Sequence, residues 1–351
     1  MKLTNITSSS PDYCRNLPIY CMENNTMSLG VMALGAAVTF VRTPDRKGNI
    51  KNIALSFPNR NAYSASDTYA GATVGPVAGR IKGGILSIHG KEYRLLKNDG
   101  ENTLHSGPEN LGKTLWQVGE TFCRDGEAGV VFTQHLYDGQ NGFPGERDIS
   151  VRYSLSDDNT IQIRYTAVTD KETWMNPTNH TYWNLSGDFT APGDFQVLQI
   201  NADSVYYNDR FHLPVSCKSV KDTPFDFSFP RPVADVVQSS PSHPQLLNAL
   251  GYNNAYLLNQ DGGPAAVLYD PFSGRRVTVA TDYPSLVFYS GGYLDNAGCT
   301  ADGQKIAAGS AYALEAQYLP DAPRLQEDRT PFLKPGEVFQ KSIAFRFDLI
   351  P

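Results

Sequence analysis

Residues 176–187 read Asn-Pro-Thr-Asn-His-Thr-Tyr-Trp-Asn-Leu-Ser-Gly, gathering amides, hydroxyls and aromatic rings around one histidine, His180. Flat rings cover the C–H face of a pyranose, amides and hydroxyls partner its hydroxyl groups, and an imidazole moves a proton near neutral pH. That is the composition of a sugar pocket. A histidine among Asn and Thr also serves as a hydrogen-bonded structural residue, so this run alone leaves both readings open. Leu104-His105-Ser106-Gly107 adds a second histidine in a turn-like setting, and residues 312–317 place Glu315 inside an apolar strand pattern. A buried, ionised Glu is costly unless it is paired, so Glu315 implies a partner or a task. Alternation puts Tyr312 and Leu314 on one face and Ala313 and Glu315 on the other, which keeps an outward, solvated Glu315 as the competing reading.

The elements that must position these groups are strands. Alternating apolar residues mark 130–136, 149–155, 160–168, 277–281, 286–289 and 343–349, and the Ser-Asp-Asp-Asn turn at 156–159 joins the second and third as a hairpin. Helical signal is confined to one or two turns within 241–250 and another at 108–111. Parallel sheets need long crossover helices and none is legible, so the expected fold is all-β, a large antiparallel β-sandwich with little helix. Residues 1–23 lack pattern and read as an irregular arm. Residues 24–351 read as a single domain, because no linker divides them and Gly (30) and Pro (23) are spread throughout, as turns between many strands require.

The formal charge of −6 comes without a Lys/Arg cluster, which argues against nucleic acid or an anionic membrane and suits a neutral small-molecule partner. The most apolar window, 29–41, begins too late for a signal peptide and is too short to span a bilayer. Five cysteines, Cys14, Cys21, Cys123, Cys217 and Cys299, form neither a CxxC pair nor a metal-ligand spacing, so reduced thiols and a cytoplasmic location are expected. The Asn-x-Ser/Thr sequons at Asn179 and Asn184 fall on the proposed pocket, which fits a chain not exposed to glycosylation.

Ordered along the chain are Gly75-Pro76-Val77-Ala78-Gly79-Arg80-Ile81, Leu104-His105-Ser106-Gly107-Pro108, Gly142-Phe143-Pro144-Gly145, Asn179-His180-Thr181-Tyr182-Trp183-Asn184-Leu185, Thr223-Pro224-Phe225-Asp226-Phe227, Gly251-Tyr252 and Leu314-Glu315-Ala316-Gln317. In this order and spacing the chain resembles the aldose 1-epimerase, or galactose mutarotase, family over nearly its whole length. The resemblance implies a mutarotase-like supersandwich with a sugar cleft on one face, and an isomerase that interconverts the α and β anomers of an aldose. It also implies that Glu315 is the base at the C1 hydroxyl and His180 the acid at the ring oxygen O5, with no cofactor and no metal. His105 and Arg80 would bind the substrate, and Trp183 would stand near it. A neighbouring carboxylate is expected to raise the His180 pKa, while Glu315 stays ionised. The other histidines, His89, His135, His212 and His243, read as structural.

Three positions depart from the family pattern. Gly79 stands where relatives carry Asn, Asn253 where they carry Asp, and Val287 where they carry Gln. Asn253 and Val287 are expected to bind substrate differently, as an amide trades charge for a donor and Val offers no polar partner. The expected function is therefore a mutarotase with specificity altered from galactose, acting as a monomer or homodimer. The alternative from another class is a non-catalytic carbohydrate-binding or sugar-sensing protein. Glycoside hydrolysis ordinarily needs a second carboxylate, which Asn253 removes.

Overall fold

The alternation read in the sequence becomes paired strands whose apolar sides meet. The computed structural model describes residues 1–6, 18–325 and 332–350. In Arg147–Ser156, Ile149, Val151, Tyr153 and Leu155 all turn inward and are buried. This strand pairs antiparallel with Thr160–Thr169, and Asn159 closes the turn at φ +64, a left-handed conformation that Asn adopts more readily than most residues.

Both strands belong to a nine-stranded sheet. Its order is Gln117–Arg124, Glu127–Leu136, Arg147–Ser156, Thr160–Thr169, Phe339–Leu349, Arg275–Thr281, Ala266–Tyr269, Val197–Ile200 and Arg231–Pro232. A six-stranded sheet runs Tyr182–Trp183, Tyr312–Gln317, Ser285–Tyr289, Asn253–Leu257, Ser204–Asn208 and Pro214–Ser219. A five-stranded sheet of Lys2–Ile6, Ile19–Glu23, Ser28–Met32, Ala37–Pro44 and Ile50–Asn52 joins them. One apolar cluster takes Val151, Ile163 and Phe345 from the first sheet, Leu286, Phe288 and Leu314 from the second, and Leu29, Val31 and Val41 from the third. Each such side chain contributes about 1.5–3 kcal/mol when fully buried, so the contact between sheets holds the sandwich together. Because that core takes one face of the six-stranded sheet, the alternate residues are free to line a cleft on the other.

Helix is scarce among the described residues: four short helices, none longer than seven residues. Pro244–Ala249 falls within the expected 241–250. No helix forms at 108–111. There the backbone N–H of Leu111 donates to Gly75 O, and the Asn110 side chain caps a turn by accepting from Gly112 N and donating to Gly107 O. Arg60–Ala65 went unread because it buries no residue and so leaves no apolar period, although Asn59 caps it by accepting from Ala62 N.

The irregular reading of residues 1–23 is corrected at both ends. Lys2–Ile6 and Ile19–Glu23 are strands that pair with each other, and Ile19, Cys21 and Met22 are buried. Each strand is only five residues long, and the partner lies across a polar stretch, so neither gives a period strong enough to read. Residues 7–17, with Cys14, lie outside the described residues. Cys21, Cys123, Cys217 and Cys299 are free thiols. Among the described residues no helix is long and apolar enough to cross a membrane.

Candidate active site

The cleft is built from the outer face of the six-stranded sheet and the loops that fold over it. Tyr312–Gln317 is buried along its whole length, and alternation sends Tyr312 and Leu314 into the core and Ala313 and Glu315 to the cleft side. Glu315 is 3% exposed, so the solvated reading of this residue is overturned.

His180 reaches Glu315 from residues 176–183, which run along the edge of the same strand. Thr178 Oγ1 donates to Ala316 O, and Tyr182 pairs with Ala313. The backbone of His180 is held on both sides, its N–H donating to Ala72 O and its carbonyl accepting from Gly71 N. Gly71 has φ +69, and a Cβ there would lie 1.9 Å from Val38 O, so glycine is required for this contact. The result places His180 Nε2 3.5 Å from Glu315 Oε1. His180 Nδ1 is buried without a hydrogen-bond partner, so Nε2 is the nitrogen offered to the cleft.

His105 comes from the loop beside residues 77–80, which bridge to Asn176 at the start of the His180 segment. Its φ is +50, and Ser106 and Gly107 follow at +75 and +95. Left-handed backbone at non-glycine residues costs on the order of 1–3 kcal/mol and persists only where the surroundings enforce it. Here His105 N donates to Gly79 O, and Ser106 Oγ both accepts from Val77 N and donates to Val77 O. His105 Nδ1 accepts from Gly79 N at 3.2 Å, so its proton sits on Nε2, and its ring meets the His180 ring edge to face at a centroid distance of 5.6 Å. Arg80 pairs with Leu104 in a short ladder, and its Nε donates to Asp99 Oδ2 at 2.7 Å. Gly79 itself has φ +78, and a Cβ would lie 2.8 Å from Pro320 Cβ, so the loop that carries Pro320 occupies the place of an Asn side chain.

Burial dominates the electrostatics. It pushes the Glu315 carboxyl up to about 8, with the Arg80 guanidinium pulling the other way. It holds the His180 imidazole down at about 4. Burial, reinforced by the charges of His180 and Arg80, keeps His105 well below the usual imidazole range. The expectation that a carboxylate would raise His180 and that Glu315 would stay ionised is therefore corrected. Removing both groups from water favours the neutral form of each over their mutual attraction.

Arg80, His105, His180, Asn253, Val287 and Glu315 thus line one cavity of about 560 Å³. Trp183 does not. It points to the opposite face from Tyr182 and packs on Phe345 and Phe347 in the core, while Tyr182 takes the cleft side. His212, read as structural, also lines the cleft, as do Asn208 and Gln317. Gln317 lies two residues beyond Glu315 on the same face, a signal present in the alternation. His212 lies in a loop at φ +60, where no period applies.

A β-sandwich with a sugar-sized polar cleft and a buried carboxyl–imidazole pair at its centre has the form of a carbohydrate-active enzyme working by proton transfer. Comparison makes the class specific. A sequence model of the aldose 1-epimerase family matches residues 18–346. The aldose 1-epimerase of Escherichia coli K12 is 32% identical over 93% of this chain and 94% of its own, and the galactose mutarotase of Bos taurus is 30% identical over 93% of each. The crystal structure of galactose 1-epimerase from Lactobacillus acidophilus NCFM superposes with a TM-score of 0.85 at 29% identity, covering 99% of both chains. The chain belongs to the aldose 1-epimerase family, and its class of activity is the family's, isomerisation of a carbohydrate.

Proposed function

We propose that Glu315 and His180 interconvert the α and β anomers of an aldose by sharing one proton between them. Once their one proton has passed from Glu315 to His180 Nε2, the Glu315 carboxylate takes the proton of the C1 hydroxyl; the C1–O5 bond breaks as C1=O forms, and His180 Nε2 delivers its proton to O5. The pair now consists of a neutral acid and a neutral imidazole, the arrangement that burial favours. Rotation about C1–C2 presents the other face of the aldehyde. Closure reverses each transfer, with His180 recovering its proton from the C5 hydroxyl and Glu315 returning one to the new C1 hydroxyl. The pair holds one proton before, during and after, so no net exchange with solvent is needed.

The observation that carries this reading is the 3.5 Å approach of His180 Nε2 to Glu315 Oε1 within the cleft. His105 Nε2–H would donate beside the same oxygens, and Arg80 would hold more distant hydroxyls. Asp67 is the other cleft-lining carboxylate among the described residues. Its side chain is exposed at the rim and pairs with Lys113, so the two-acid arrangement of glycoside hydrolysis finds no support. The relatives' names point to galactose, while Asn253 and Val287 support a specificity shifted from it.

Polarimetry or NMR of freshly dissolved α-sugars tests the proposal. Wild-type protein should speed the approach to anomeric equilibrium, and Glu315→Gln or His180→Asn should slow that catalysed rate by ~10² or more. Acceleration undiminished in both variants would contradict it.

A further inference from the structure

The floor beside the acid–base pair is a single row across the sheet. Glu315 is in register with Val287, Val287 is in register with Ala255, and all three line the cleft. His180 stands on the other side of Glu315. Residues 176–183 follow the far edge of the Glu315 strand, since Asn176 Nδ2 donates to Tyr318 O, Thr178 Oγ1 to Ala316 O, and Tyr182 pairs with Ala313. Glu315 is therefore flanked by an imidazole on one side and an isopropyl group on the other.

A sugar placed for the proton transfers proposed above has O1 at Glu315 and O5 at His180. In a gluco or galacto pyranose the equatorial C2 substituent is gauche to O1 and anti to O5, which points it away from His180 and toward the Val287 strand. Neighbouring strands lie about 4.8 Å apart, so the C2 substituent comes to rest over Val287 and, if it is longer, extends over Ala255. Neither residue offers a side-chain hydrogen bond. Both belong to an apolar cluster with Tyr206 and Leu319. The polar floor residues other than Glu315 stand in the neighbouring cleft-facing rows, Asn253 and Tyr289 on one side along the strands and Gln317 on the other, and none lies in the row of Val287 and Ala255. A hydroxyl pressed onto Val287 would lose water without gaining a partner.

We infer that the cleft selects aldoses whose C2 presents no hydroxyl to this floor. Two chemistries satisfy the requirement: hydrogen, as in a 2-deoxy sugar, and the apolar end of a 2-acylamino group covering Val287 and Ala255. The inference rests on the mutarotase reading of Glu315 and His180.

The test is anomer exchange followed by NMR, giving kcat/KM for the parent hexose, its 2-deoxy form and its 2-acetamido form in both the gluco and galacto series. At least one C2-modified sugar in each series should equal or exceed its parent, and which one does so identifies the substituent. A site built to bind a hydroxyl rejects the analogue that lacks it, so parents preferred over both modified forms would overturn the inference while leaving the mutarotase reading intact. Acceleration of no sugar at all would overturn both. Val287→Gln should raise the parent-to-deoxy ratio by about 5- to 150-fold, and Val287→Thr, close to Val in volume, should move it the same way. An unchanged ratio in both variants would show that C2 does not lie over Val287, and the inference fails.

Discussion

Burying a carboxyl group makes its effect on stability depend on pH, and Glu315→Gln isolates that effect because Gln keeps the shape and cannot ionise. Burial raises Glu315 from its ordinary 4.5 to about 8 in the folded chain. A group raised on folding contributes stability that is complete below its unfolded value and lost as pH rises through its folded value. Each tenfold change in proton affinity is worth about 1.4 kcal/mol, so the interval from 4.5 to about 8 corresponds to on the order of 5 kcal/mol. The Gln variant escapes this loss. Its stability relative to wild type should therefore climb between about pH 5 and about pH 8 and level off above, as read from urea midpoints across that range. The slope should approach about 1.4 kcal/mol per pH unit. A difference independent of pH would refute the reasoning, since Glu315 would then titrate as it does in the unfolded chain. A wild type that gains on the variant as pH rises would refute it more strongly, because His180 and Arg80 would then be stabilising the carboxylate.

The same pair bounds activity, since one shared proton is present between the His180 value of about 4 and the Glu315 value of about 8. A bell-shaped profile of kcat/KM with limbs near these values is expected, and a single limb near the ordinary histidine range would contradict the shared proton. Trp183→Ala should cost about 3–5 kcal/mol of stability because the indole fills the core; if urea melts show little loss and sugar affinity falls instead, Trp183 belongs to the site after all. Gly79→Asn should lower both stability and turnover, since it combines a left-handed φ of +78 with a Cβ 2.8 Å from Pro320. A variant as stable and active as wild type would show that the Pro320 loop moves freely.

Chemistry at the centre of the site was legible in part from a broken pattern and in part from the family resemblance. A carboxylate in an apolar strand is costly without a partner, whereas the histidine among amides became a candidate through the family resemblance, and the structure brings Glu315 and His180 together. Their protonation was not legible. It depends on how completely the surrounding loops exclude water, which strand alternation does not report, and the expected direction for His180 was reversed. Trp183 misled for a related reason. It adjoins Tyr182, and adjacent residues of a strand face opposite ways, so one lines the cleft and the other enters the core. His212 and the strands at Lys2–Ile6 and Ile19–Glu23 depend on loop closure and on pairing across a polar stretch, where no local period exists.

The central claim is that Glu315 and His180 act as one proton-sharing unit, and a double-mutant cycle on the catalysed anomerisation rate tests it most directly. Groups that act as a unit are grossly non-additive. Glu315→Gln, His180→Asn and the double variant should therefore share nearly the same residual rate. A double variant slower than either single one by the product of their separate losses would mean that the two residues work independently, and the shared-proton account would be wrong.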